Sequence, residues 1–197
     1  MRLALAVFVL AASVARPGAA SAPLGPMAQT RAILEASNRI VTGEGDRNEK
    51  LAALKRLLRD FLDTDALGRA SMGRHLEGVS AEEERRFLDL FRDLFVRTYV
   101  QRLLLFEVPR FAYGEEAIEG DTARVATEIV TDRDRFAVDY RLRRTPDGWR
   151  ATDILIEGVS LAANFRAQFD RALSKDSFSA LLDKLERKLH GARPRSL

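Results

Sequence analysis

The chain contains no cysteine, and only two histidines, one tryptophan and three methionines in 197 residues. Without cysteine there can be no disulfide framework, no thiolate metal site and no lipid-modified cysteine at a processed N-terminus. His75 lies near a predicted helix end and His190 toward the C-terminal tail, with no HExxH or other paired ligand spacing, so both read as surface or structural residues. Walker and GxGxxG loops and the GxSxG elbow are also missing, which removes the usual signals for nucleotide binding and for acyl hydrolysis. No apolar run approaches the roughly 20 residues that a membrane-spanning helix needs. Internal repeats and low-complexity tracts are absent as well.

What remains is a globular composition, 46% hydrophobic and 31% charged, at a length that suits one domain with a core. At the N-terminus, Arg2 precedes a short apolar run over 3–12 and then small residues, the layout of a secretory signal peptide over residues 1–22. Cleavage could follow Ala15 or lie near Ala20 to Ala22. The expected product is an exported soluble domain over 23–190 with a basic, disordered tail at 191–197. The net charge is +3, but arginine and lysine alternate with aspartate and glutamate instead of forming one block. That pattern argues against nucleic acid and is compatible with docking on anionic membranes or acidic partners.

Hydrophobic spacing divides the chain into a helical first half, a strand-rich middle and a helical end. A first helix is expected over 27–40, closed by Gly43 and Gly45. Asp46 to Glu49 and Ser80 to Glu83 have capping-box spacing and open two further helices. The second of these, reaching about residue 104, carries Phe87, Leu90, Phe91, Leu94, Phe95 and Tyr99 at intervals of three and four. Between them, Asp63 or Thr64 can cap a short helix ending at Gly73. Beyond Pro109 the period becomes two: Ala123, Val125, Thr127 and Ile129 on one strand, Phe136, Val138, Tyr140 and Leu142 on the next. With weaker strands over 111–118 and 149–157, and a Pro146-Asp147-Gly148 turn, the middle reads as a four-stranded antiparallel meander. Apolar stripes at Leu161, Phe165, Phe169 and Leu173, and at Phe178, Leu181, Leu182, Leu185 and Leu189, mark two closing helices. The fold class is α+β, a curved sheet packed against several helices around an apolar pocket.

Two carboxylates, Asp153 and Glu157, sit among Ile154, Leu155 and Ile156, where either could serve as a general base or simply accept backbone hydrogen bonds at the following turn. Trp149 is a core anchor or a cavity wall. The apolar faces themselves enclose either a filled core or a hollow one, because periodicity is the same for both. If hollow, the lining is Val125, Ile129, Phe136, Val138, Tyr140, Ile154 and Ile156 from the sheet, with Phe91, Leu94, Phe95 and Tyr99 from the long helix.

Residues 149–161 read Trp-Arg-Ala-Thr-Asp-Ile-Leu-Ile-Glu-Gly-Val-Ser-Leu and run into Asn-Phe-Arg-Ala-Gln-Phe at 164–169. Together with 62–69, Met72-Gly73-Arg74, 91–99 and 138–143, in that chain order, they resemble the MlaC or toluene-tolerance family over nearly the whole mature chain. The resemblance implies a periplasmic carrier, expected to be monomeric, that holds a phospholipid by its acyl chains. It further implies an exchange of that lipid between an outer-membrane lipoprotein complex and an inner-membrane ABC transporter with an MCE-domain subunit, in maintenance of outer-membrane lipid asymmetry. It implies no enzymatic step and no cofactor. Thr64, Ala70, His75 and Leu76 stand where similar members often carry aromatics, and a hopanoid is the alternative cargo. The competing reading is a small-substrate enzyme of cone-shaped α+β fold, using Asp153 or Glu157.

Overall fold

The computed structural model describes residues 24–103 and 110–191. The expected signal peptide therefore lies outside the described residues, as does the tail from 192 onward; Gly191, expected to open that tail, instead closes the last helix. In chain order the elements are α1 (Pro26–Thr42), α2 (Arg47–Phe61), α3 (Thr64–Met72), a 3-10 turn (Gly73–Leu76), α4 (Ala81–Leu103), β1 (Arg110–Glu119), β2 (Thr122–Val130), β3 (Arg135–Thr145), β4 (Gly148–Ile156), β5 (Val159–Ser160), α5 (Leu161–Leu173) and α6 (Phe178–Gly191).

Helix boundaries follow local chemistry. The Asp46 carboxylate accepts the amide N–H groups of Asn48 and Glu49 while Glu49 returns a bond to the Asp46 N–H, satisfying donors that the first turn of α2 would leave unpaired. Ser80 and Glu83 do the same for α4, and Asp63 rather than Thr64 caps α3 through the Ala66 N–H. α1 begins with Pro26, whose missing N–H costs nothing at a helix start.

The strands form one antiparallel sheet in the order β1-β2-β3-β4-β5. The α+β class is as expected, but the sheet has five strands, not four. β5 is only Val159–Ser160, paired with Ile156 and Leu155, and two residues are too few to leave a period-two signature. Its hairpin turns on Glu157 and Gly158, both with positive φ (51° and 75°), the backbone of a type I′ turn. β-bulges interrupt the β1–β2 register between Tyr113 and Glu116 and the β3–β4 register between Arg141 and Leu142. The β3–β4 turn needs Gly148, whose φ is +119° and where an added Cβ would meet the Gln29 Oε1 at 2.7 Å.

Helices α1, α2, α3 and α5 adjoin the sheet, and α4 packs on α2, α3 and α6. The main core runs from the sheet (Val125, Val138, Tyr140, Leu142) through Phe61 and Leu67 to an aromatic cluster between α4, α5 and α6. A smaller cluster of Leu54, Val96 and Val100 joins α2 to α4. The α2–α3 junction is pinned to β4: the Asp63 N–H donates to the Ala151 carbonyl at 2.8 Å, and the Arg150 guanidinium donates to the carbonyls of Arg59 and Leu62.

Candidate functional site

The β2–β3–β4 register aligns the apolar residues in rows across one face of the sheet. Phe111, Ile129 and Phe136 form the row at one end. Next come Tyr113, Thr127, Val138, Ile156 and Val159, then Val125, Tyr140 and Ile154, then Ala123, Leu142 and Ala151. Exposure falls steeply along this face. Phe136 is 41% exposed, Ile156 40% and Val159 60%, whereas Val138, Tyr140, Val125 and Leu142 are buried. Across β2, β3 and β4 the face is therefore apolar, open at the end where β3 begins and covered at the other around Leu142, Ala151 and Trp149, while Ile118 on the edge strand β1, in the row of Ala123 and Leu142, stays 48% exposed. Leaving three large apolar side chains partly in water forgoes roughly 25 cal/mol for every Å² left uncovered. Clustered exposure of this kind marks a surface that something covers.

The polar groups on the face are neutralised from within. Thr127 Oγ1 donates to the Val138 carbonyl at 2.8 Å. Burial pushes the Tyr140 phenol far above its ordinary range, with a hydrogen bond to Thr127 opposing, so it stays protonated. At the edge strand, burial likewise raises the Tyr113 phenol, helped by the Glu35 carboxylate and opposed by Arg31, whose guanidinium lies 3.8 Å over the ring.

The sequence-derived candidates divide into three groups. Ile129, Phe136, Val138, Tyr140, Val125, Ile154 and Ile156 do share one face. Phe91 and Phe95 pack helix against helix: Phe91 meets the Phe165 ring edge-on at 5.4 Å and the Phe87 ring at 5.7 Å, and Phe95 stacks on Tyr99 at 4.4 Å. Leu94 is half-buried on the same helix. Trp149 sits at the covered end, its backbone N–H and C=O both bonded to the Gln29 side chain and its ring under Arg144, which makes it a core anchor. Phe111 and Val159 belong to the open rim but were not among the candidates. Phe111 could have been placed there by the alternation with Tyr113, whereas Val159 becomes a strand residue only through the β5 hairpin.

Both carboxylates are engaged in hydrogen bonds that join neighbouring elements. Asp153 Oδ1 accepts the N–H groups of Ile154 (2.9 Å) and Ala162 (3.1 Å), and Oδ2 accepts the Ser160 hydroxyl at 2.6 Å. Glu157 accepts the Ala137 N–H and donates its own N–H to the Ala137 carbonyl, extending the ladder beyond β4. His75 Nε2 lies 2.5 Å from Asp170 Oδ1, joining the 3-10 turn to α5. Among the described residues no cluster of three or more His, Asp or Glu side chains could hold a metal, and no helix is long and apolar enough to cross a membrane.

A profile described as MlaC protein matches residues 28–187. The chain belongs to the MlaC family. Among curated relatives, this MlaC-family chain is 22% identical over 127 residues to the toluene tolerance protein ttg2D of Pseudomonas putida, a match covering 63% of the chain and 59% of the relative. It thus spans less than two thirds of that relative's length. Among solved structures it is similar to the phospholipid-binding protein from Ralstonia solanacearum, determined in complex with a phospholipid, with a TM-score of 0.75 and 21% identity. That match covers 85% of this MlaC-family chain and 98% of the neighbour, and it establishes the shared fold.

Proposed function

We propose that the protein is a lipid carrier of the periplasm, a monomer that holds phospholipid acyl chains against the apolar face of its sheet. The observation that carries this reading is the graded face, with Phe136, Ile156 and Val159 exposed at one end and Val125, Tyr140 and Leu142 buried at the other. Family membership, and the phospholipid bound by the Ralstonia solanacearum neighbour, favour the same reading.

The physical task explains why such a face is useful. Two acyl chains carry on the order of 30 methylene groups, and at about 0.8 kcal/mol each their exposure to water costs roughly 24 kcal/mol. A free lipid therefore leaves a bilayer too rarely to cross an aqueous compartment. A protein surface about as apolar as the bilayer makes transfer nearly balanced, and direction then comes from the membrane partners: an outer-membrane lipoprotein complex and an inner-membrane ABC transporter with an MCE-domain subunit. The tails enter past Phe136 and Ile156 and lie along Ile129, Val138 and Ile154, while the head group stays in water at the rim. No bond is made or broken, so the carrier needs no general base, consistent with the structural use of Asp153 and Glu157.

The test uses two substitutions at exposed positions, which leave the buried core intact. Phe136→Asp together with Ile156→Asp abolishes retention of a fluorescent phospholipid by the purified protein. Ile118→Asp, equally exposed but paired with Ala123 at the far end of the sheet, retains it. Equal retention by all three proteins removes this face as the site.

A further inference from the structure

A second concavity lies away from the apolar face, where α2, α4 and the end of α6 meet. It has a volume of about 340 Å³ and is lined by Lys55, Arg59, Arg92, Asp93, Val96, Arg97 and Leu189. Lys55 and Arg59 are one turn apart on α2, and Arg92 and Val96 one turn apart on α4, with Arg97 beside the latter. Two helices thus present opposed rows of cations over a floor of Val96 and Leu189. Four cations and one carboxylate, Asp93, line the groove.

The surroundings treat these cations unequally. Arg92 is held by Asp89 and, at 3.7 Å, by Asp65. Arg97 Nη1 donates to the Leu189 carbonyl at 2.6 Å, which fixes the guanidinium against the end of α6. Lys55 and Arg59 have no carboxylate within ion-pair distance among the described residues. The Arg59 backbone is anchored nonetheless, since its carbonyl accepts the Arg150 guanidinium at 2.8 Å. Two positioned cations therefore face two unneutralised ones across a groove.

We propose that this groove binds a phosphate ester. Guanidinium forks match the paired oxygens of a phosphate, and three of the four cations are arginines. The Lys55–Arg59 row is about 6 Å long at 1.5 Å per residue. That is too short for an extended acidic peptide and enough for one phosphate group. The apolar floor and the volume leave room for a substituent of a few carbons, the size of a glycerol. The ligand is a glycerophosphate-type group, either free in solution or as the head group of an anionic lipid at a bilayer surface. The inference is independent of the carrier reading, because none of these residues lies on the apolar face.

The experiment titrates the full mature chain with sn-glycerol 3-phosphate by calorimetry and, separately, sediments it with phosphatidylglycerol or phosphatidylcholine vesicles. Lys55→Glu/Arg59→Glu reverses the two unneutralised charges; Lys55→Gln/Arg59→Gln removes them more gently. Arg85→Glu/Lys175→Glu makes the same change in net charge at exposed positions elsewhere. Saturable binding of glycerol phosphate that weakens at least about tenfold in both groove variants, and not in the control, supports the site with a soluble ester as ligand. Retention on phosphatidylglycerol but not phosphatidylcholine, lost in the groove variants only, supports it with a lipid head group. Absence of binding to both probes overturns the proposal. So does a loss equal in the control variant, or capture of an acidic peptide while both phosphate probes fail.

Discussion

Asp153 offers the sharpest stability prediction, because its carboxylate joins three elements at once. One oxygen takes the Ile154 N–H of β4 and the buried Ala162 N–H of α5; the other takes the hydroxyl of Ser160, which itself caps α5 through the Ala163 N–H at 3.0 Å. Asp153→Ala leaves the Ala162 N–H and the Ser160 hydroxyl without their acceptor in a site from which water is largely excluded, since the Asp153 side chain is only 7% exposed. Orphaning a buried donor costs about 1–3 kcal/mol, so the expected loss is about 3 kcal/mol for the two. Asp153→Asn keeps one oxygen for both N–H groups and turns an amide N–H₂ toward Ser160, whose hydroxyl oxygen can accept it. That substitution should cost about 1 kcal/mol. Urea unfolding at pH 7 measures both values, and lipid retention by the folded Asn variant should equal that of the starting protein. An Ala variant within about 0.5 kcal/mol of the parent would refute the anchoring role. An Asn variant of near-normal stability that lost a measurable turnover would revive acid–base chemistry at this position.

Two further outcomes follow from the same geometry. Phe87 is fully buried and its ring meets those of Phe91, Phe169 and Phe178 at 5.7, 5.5 and 6.2 Å, so Phe87→Ala should cost about 3–5 kcal/mol in urea unfolding; a loss below about 1 kcal/mol would mean the α4–α5–α6 cluster is not tightly packed. Burial works to raise the Asp63 carboxyl, but the Ala66 N–H and the Arg143 guanidinium at 2.7 Å outweigh it and hold it below its ordinary value of 3.8. Its contribution to stability is therefore complete above about pH 4 and lost as pH falls through the depressed folded value. Acid unfolding curves should show Asp63→Asn less stable than the parent at pH 7, with the gap closing toward pH 3; a gap that widens in acid contradicts the assignment.

Sequence reasoning reached the features governed by neighbours in the chain. The Asp46–Glu49 and Ser80–Glu83 caps, the period-two strands and the Pro146-Asp147 turn all rest on chemistry within a few residues, and all are present. The bulges and β5 escaped because each alters the pattern by only one or two residues. Periodicity assigned Val125 and Phe136 to the same face but carried no information on depth: one is fully buried and the other 41% exposed, a difference set by helices remote in sequence. The same limit put Phe91 and Phe95 opposite the sheet, when their partner is Phe165 on a helix some 70 residues later. The cationic groove was invisible for a related reason. Lys55 and Arg59 read as part of the basic solvent face of α2, and only the packing of α2 on α4 sets them opposite Arg92 and Arg97.

The central claim is that the graded face carries lipid, and native mass spectrometry of the protein purified from a Gram-negative periplasm, with solvent extraction of the same sample, tests it most directly. The account predicts a discrete added mass matching a phospholipid in the parent protein, lost in Phe136→Asp/Ile156→Asp. A bare protein mass that persists after incubation with phospholipid vesicles would contradict it.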